Sequence, residues 1–118
     1  MIDIRTTFTP FRMKLGRREP VQLSLELINR GEEDAMLSFN LVLGKSLSME
    51  KGGYRTIAME KIASLAPMAG KKFYYELWPK QTVTAGPQPI QLTVTEHYKD
   101  FNYVKKEYRK NLDLIIED

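Results

Sequence analysis

From Val21 to Leu27 every second residue is a large aliphatic: Val21, Leu23, Leu25 and Leu27 alternate with Gln22, Ser24 and Glu26. Successive side chains of a strand point to opposite faces, so this spacing lines one face with hydrocarbon and leaves the other to water. Wound into a helix, the same residues would be spread around the whole circumference and line no face. The pattern returns at Leu37, Phe39, Leu41 and Leu43, at Phe73, Tyr75 and Leu77, at Ile90, Leu92 and Val94, and at Leu112, Leu114 and Ile116. Between these runs stand segments of turn chemistry at residues 29–34, 51–53, 66–70, 86–89 and 99–102, the last with Asn102 as its left-handed residue. Pro79 closes the aromatic strand because proline cannot donate to a ladder. Two segments are weaker. Residues 46–49 suit a short strand or edge, and residues 54–65 carry apolar positions at helical spacing (Ile57, Met59, Ile62, Leu65). The strand formers Tyr54, Thr56 and Ile57, and the β pattern on both sides, favour the extended form over a helix there.

Short strands separated by frequent turns, with no convincing helix, predict an all-β fold. The expected architecture is an immunoglobulin-like β-sandwich of seven to eight antiparallel strands in two sheets, with a small barrel as the alternative. The 118 residues fit a single domain spanning 1–118, and no repeat or linker divides them. No run of apolar residues exceeds three, so no helical membrane span is expected. Met1-Ile2-Asp3-Ile4-Arg5 lacks the apolar region of an export leader. The expected location is the cell surface if the module belongs to a longer precursor, and the cytoplasm otherwise. With no cysteine and one histidine, disulfides, thiolate chemistry and Cys-ligated metals are excluded, and no cofactor or metal is expected. Eighteen Lys and Arg against 15 Asp and Glu give a charge of +3, short of the dense cationic footprint of a dedicated nucleic-acid binder.

The order of landmarks then resembles a known group. Glu19-Pro20-Val21-Gln22-Leu23-Ser24-Leu25-Glu26-Leu27-Ile28-Asn29-Arg30-Gly31 is similar to the "strand, then Asn-x-Gly" opening of CARDB-type and NEW3-type immunoglobulin-like modules. Ile62-Ala63-Ser64-Leu65-Ala66-Pro67, running into Lys72-Phe73-Tyr74-Tyr75, resembles their "I-x-x-L-x-P-G" turn and following strand, with Met68-Ala69-Gly70 lengthening the turn. Ala85-Gly86-Pro87 before Ile90-Gln91-Leu92-Thr93-Val94 resembles their "G-x-y-x-I-x-V" strand, and the last hairpin is similar to that of archaeal relatives. The resemblance covers most of residues 19–117. It implies a surface-protein accessory domain that adheres, spaces or binds without catalytic residues.

Candidate sites are few. Lys99, Lys105, Lys106, Arg109 and Lys110 are interleaved with Tyr98, Phe101, Tyr103 and Tyr108, a mixture that grips single-stranded nucleic acid when it lies on one face. On an extended strand Lys105 and Arg109 face away from Lys106 and Lys110, which divides the charge. An exposed hairpin tip whose lysines discourage edge pairing is the simpler reading, and this tip is the first choice for a protein contact. Tyr74 and Trp78 share a strand face and form a candidate sugar platform, against which stands the habit of sandwiches to bury a tryptophan. Glu96 and His97, adjacent on a strand, point to opposite faces and cannot readily share a proton or a metal. Glu32-Glu33-Asp34 reads as a solvated acidic turn without the spaced ligands of a calcium loop. No residue set supplies nucleophile, base and oxyanion donor together. The expectation is a non-catalytic interaction, adhesion or spacer module with a protein partner, self-association included. A carbohydrate-binding accessory role is the alternative, and a weak nucleic-acid binder follows it.

Overall fold

A computed structural model describes residues 1–118 except positions 18 and 82. The chain forms nine strands, β1 (Ile2–Thr9), β2 (Arg12–Lys14), β3 (Val21–Asn29), β4 (Ala35–Leu43), β5 (Leu47–Ser48), β6 (Ile57–Leu65), β7 (Gly70–Pro79), β8 (Gly86–Tyr98) and β9 (Asp100–Glu117), among the described residues, and the first two precede every run the alternation marked. They form two sheets, of order β1-β3-β7-β5 and β2-β9-β8-β4-β6, and there is no helix among the described residues. The second sheet curls into a half-barrel. Every ladder is antiparallel but one: β2 runs parallel to β9 at Arg12–Lys14, where the sequence pattern predicts antiparallel pairs throughout.

The inner faces meet in a continuous core. Leu23, Leu25 and Leu27 of β3, Leu37, Phe39 and Leu41 of β4, and Ile90, Leu92 and Val94 of β8 are all essentially inaccessible. Phe39 joins the layers, its ring edge-on to Phe73 of β7 at 4.8 Å and to Tyr75 at 6.5 Å between centroids. Burial raises the Tyr75 pKa above its ordinary 10.0, the Glu60 carboxylate adds to the rise, and Arg55 opposes it.

Three departures from the sequence pattern have local causes. In β6 the buried residues are Ala58, Ile62 and Leu65. Leu37 pairs with Ile62 while Ala35 pairs with Leu65, so β6 holds one extra residue, and this bulge makes a strand mimic helical spacing. The segment at residues 86–89, expected as a closed turn, instead begins β8, with Pro87 opposite Ile115 and Pro89 opposite Asp113. Prolines are tolerated there because β4 pairs with β8 only from Ile90 onward, leaving that flank without a ladder to serve. At the last hairpin Lys99 takes the left-handed conformation (φ 67°), and Asn102 lies in the strand with its N–H donated to Asp100 Oδ1 at 2.8 Å.

Asn29 explains the Asn-x-Gly signature. It is 1% exposed, its side-chain amide donates to the carbonyls of Glu33 (2.7 Å) and Leu65 (2.8 Å), and its oxygen accepts the Gly31 N–H at 2.9 Å. Its own backbone pairs with Met68 and Ala69. One side chain thereby fastens the β3–β4 turn to the end of β6.

Candidate functional site at the hairpin apex

β8 and β9 outrun their neighbours. β2 covers only residues 115–117 of β9, so from 100 to 114 the flank turned away from β8 has no strand beside it among the described residues. Irregular register at Glu96, His97 and Tyr98 lets the apex bend. Phe101 reaches back over the sheet, its ring centroid 5.1 Å from the His97 ring and 5.1 Å from Lys61 Nζ on β6. His97 is held on both nitrogens: Nδ1 donates to the Tyr103 carbonyl at 3.2 Å, and Nε2 accepts the Ser38 hydroxyl at 2.6 Å in the neutral ring. A hydroxyl paired with an oriented imidazole is the geometry of an activated nucleophile. Ser38 lies mid-strand in β4, where the neighbouring backbone amides are engaged in the ladders with β6 and β8 and are not free to form an oxyanion hole.

The cluster chosen from sequence is brought together only in part. Tyr98, Tyr103 and Val104 are 59%, 57% and 62% exposed at the apex, and Lys99 Nζ lies 5.4 Å from the Tyr98 ring. Lys105 is the extra residue of a bulge between partners Glu96↔Lys106 and His97↔Val104. The bulge breaks the expected alternation with Arg109, and Lys105 Nζ sits 3.3 Å from the carboxylate of Glu96, itself 8% exposed. Arg109 pairs with Glu107 at 2.8 Å on the outer face. Lys106 lies 5.0 Å from the Tyr108 ring, and Lys110 reaches the Ile4 carbonyl of the other sheet at 3.5 Å. Each cation has a different local partner. Glu96 points inward and His97 outward, as alternation predicts, and the Tyr108 hydroxyl donates to Glu96 at 3.4 Å.

Tyr74 and Trp78 do share a face, two rows apart with Glu76 between them. Trp78 is half-buried and Lys51 Nζ stands 5.6 Å from its ring, whereas Tyr74 is 57% exposed and lines a separate cleft. Glu32, Glu33 and Asp34 border a cleft of about 290 Å³ with Asn29, Glu96 and Lys105, and no metal-holding group occurs among the described residues. Two associations escaped the sequence pattern, the Ser38–His97 bond and the edge-to-face contact of Phe101 with His97. The first follows from the β4–β8 register, which sets Ser38 diagonal to His97, and the second from the apex folding back over the sheet; alternation alone encodes neither.

No family model and no curated protein matches the chain. Among solved structures it is similar to the putative ApaA protein of Bordetella pertussis, with TM-score 0.51 and 11% identity over 98% of this chain and 92% of that one. At that identity the likeness is one of fold. It also superposes on a Bacteroides uniformis β-glucuronidase with TM-score 0.46 and 14% identity, over 96% of this chain and 13% of the enzyme.

Proposed function

We propose that the chain is a non-catalytic immunoglobulin-like module of the CARDB and NEW3 kind that binds another protein along the β9 flank and the hairpin apex. The open β9 flank carries this reading: 15 residues of backbone on one side have no ladder partner among the described residues, and they lead to an apex that exposes Tyr98, Tyr103 and Val104. An extended partner segment adds to such a flank by main-chain hydrogen bonds, and side chains at the apex select it. The strand order supports the immunoglobulin-like part, since β1-β3-β7 and β9-β8-β4 take the places of strands A-B-E and G-F-C. The order of landmarks in the sequence points the same way.

The test places a photo-crosslinking residue at position 102, both in the native chain and in one whose Tyr98, Tyr103 and Val104 are serine, and compares what each captures. Hydrogen exchange on the reconstituted pair is expected to show protection over residues 100–114. Equal capture by the serine variant, or protection confined to β6 or β1, rejects the assignment. Light scattering on the chain alone tells whether the partner is a second copy.

A further inference from the structure

We infer that the outer face of β1, β3 and β7 holds a binding site for a neutral pyranose sugar, with the Tyr74 ring as its floor. The site is independent of the hairpin apex, which belongs to the other sheet. Strand register builds it. Arg5, Glu26 and Lys72 are cross-strand partners in one row, and Thr7, Ser24 and Tyr74 are partners in the next row of the same face. Strand and same-face spacings make this grid roughly 7 by 10 Å, the footprint of one or two sugar rings. The side chains border a cleft of about 310 Å³, at the lower end of the size range of small-ligand sites.

The chemistry of the six residues suits a polyol with an apolar face. Tyr74 presents a flat, exposed ring against which the C–H face of a pyranose can shed water, unlike Phe73 and Tyr75, whose rings turn inward to Phe39. Around it stand an acceptor, two cationic donors and two hydroxyls. Glu26 accepts from neighbouring sugar hydroxyls, Lys72 and the terminal nitrogens of Arg5 donate, and Thr7 and Ser24 do either. Glu26 and Lys72 form no ion pair among the described residues although they face each other, and Arg5 is tied to Asp3 only through Nε, at 3.3 Å. The polar groups are therefore available to a ligand. Ser24 and Glu26 sit on β3, which has ladders on both sides, so the centre of the site is rigid before a ligand arrives. Glu26 shares a row with both cations and its Oε2 turns toward Gly70, so an acidic sugar approaching Arg5 or Lys72 meets a like charge that a neutral sugar does not. Trp78 lies outside the grid beyond Glu76, which separates this site from a Tyr74–Trp78 platform.

The test is amide chemical-shift mapping with maltotriose, cellotriose and mannotriose, each to about 10 mM, above the millimolar dissociation constants of a shallow site. At least one is expected to shift amides near positions 5–7, 24–26 and 72–74. Tyr74→Ala should weaken that sugar about tenfold or more, Tyr74→Phe should retain it, and Trp78→Ala should leave it within about twofold. Shifts that fall elsewhere, no response to any of the three, or unchanged affinity in Tyr74→Ala overturn the site. Tighter binding of trigalacturonate than of the neutral sugars overturns the neutral assignment. Should Tyr74→Ala lose its native spectrum, the exposed variants Thr7→Ala and Lys72→Ala carry the test, each expected to weaken binding without altering the fold.

Discussion

Asn29 ties three segments together through one polar side chain. Its amide and carbonyl satisfy two backbone carbonyls and one N–H that would otherwise be stranded at a buried corner. Removing a partner from a buried polar group costs about 1–3 kcal/mol, so Asn29→Ala should lower stability by about 2–3 kcal/mol. Urea titration should show a lower midpoint with an unchanged slope. Asn29→Asp should do no better, since a carboxylate has no N–H for the carbonyls of Glu33 and Leu65. Glu117 gives a second expectation at this scale. It receives Arg12 at 2.6 Å and Lys14 at 2.7 Å, and these bonds, the Arg12 bond foremost, hold its pKa at about 2 against an ordinary 4.5. A carboxyl depressed in the folded state stabilises above its unfolded value and loses that contribution as pH falls through its folded one. The bridge between β2 and β9 should therefore weaken between about pH 4.5 and 2, and Glu117→Gln should remove that part of the acid limb. An unchanged acid limb in the variant would show that other carboxyls govern it.

Elements differ in how plainly they are written. β3, β4 and the paired half of β8 were legible because both their neighbours are strands, so each inward position is a core position and strict alternation survives. β1 carries a fainter version, Ile2, Ile4 and Phe8 inward with Thr6 among them, and as a sheet edge it offers polar residues on both faces. β6 hides its strand character behind a bulge. The prolines of β8 suggest a turn until the register shows that they precede the β4–β8 ladder, on a flank that needs no N–H donor. Tyr74 was legible as a candidate, but its companions Arg5 and Glu26 were not, because only strand register makes neighbours of residues so distant in sequence. Gly44 marks the same junction from the other side. A Cβ there would lie 2.9 Å from the Pro89 carbonyl oxygen, a backbone atom that cannot turn away. Gly44→Ala should cost about 1–3 kcal/mol by overpacking, read as a lower melting temperature. Gly16→Ala meets nothing within 4 Å and should be neutral or slightly stabilising.

The whole molecule measures 47 × 24 × 19 Å, and its radius of gyration of 15.4 Å exceeds the roughly 13–14 Å of a rounded domain of this length. The excess follows from β8 and β9 extending past the core, whose large buried side chains belong to the overlapping middles of the strands. Stability should divide accordingly. Amides near the apex, residues 98–106, are flanked by exposed side chains and should exchange by local opening, while those of β3, β4 and β8 beside Phe39 should exchange only by global unfolding. Phe39 tests the division because it is 1% exposed and contacts aromatic rings of the opposite sheet. Phe39→Ala removes a large ring from the joint between layers and should cost about 3–5 kcal/mol. Against a total of about 5–15 kcal/mol, that loss brings global unfolding close to the local openings of the apex. Exchange in β3 and β4 should accelerate about a hundredfold or more, whereas exchange at the apex should barely change. If both regions accelerate equally, the apex is part of the cooperative unit, and the hairpin is rigid enough to present its residues to a partner without first ordering.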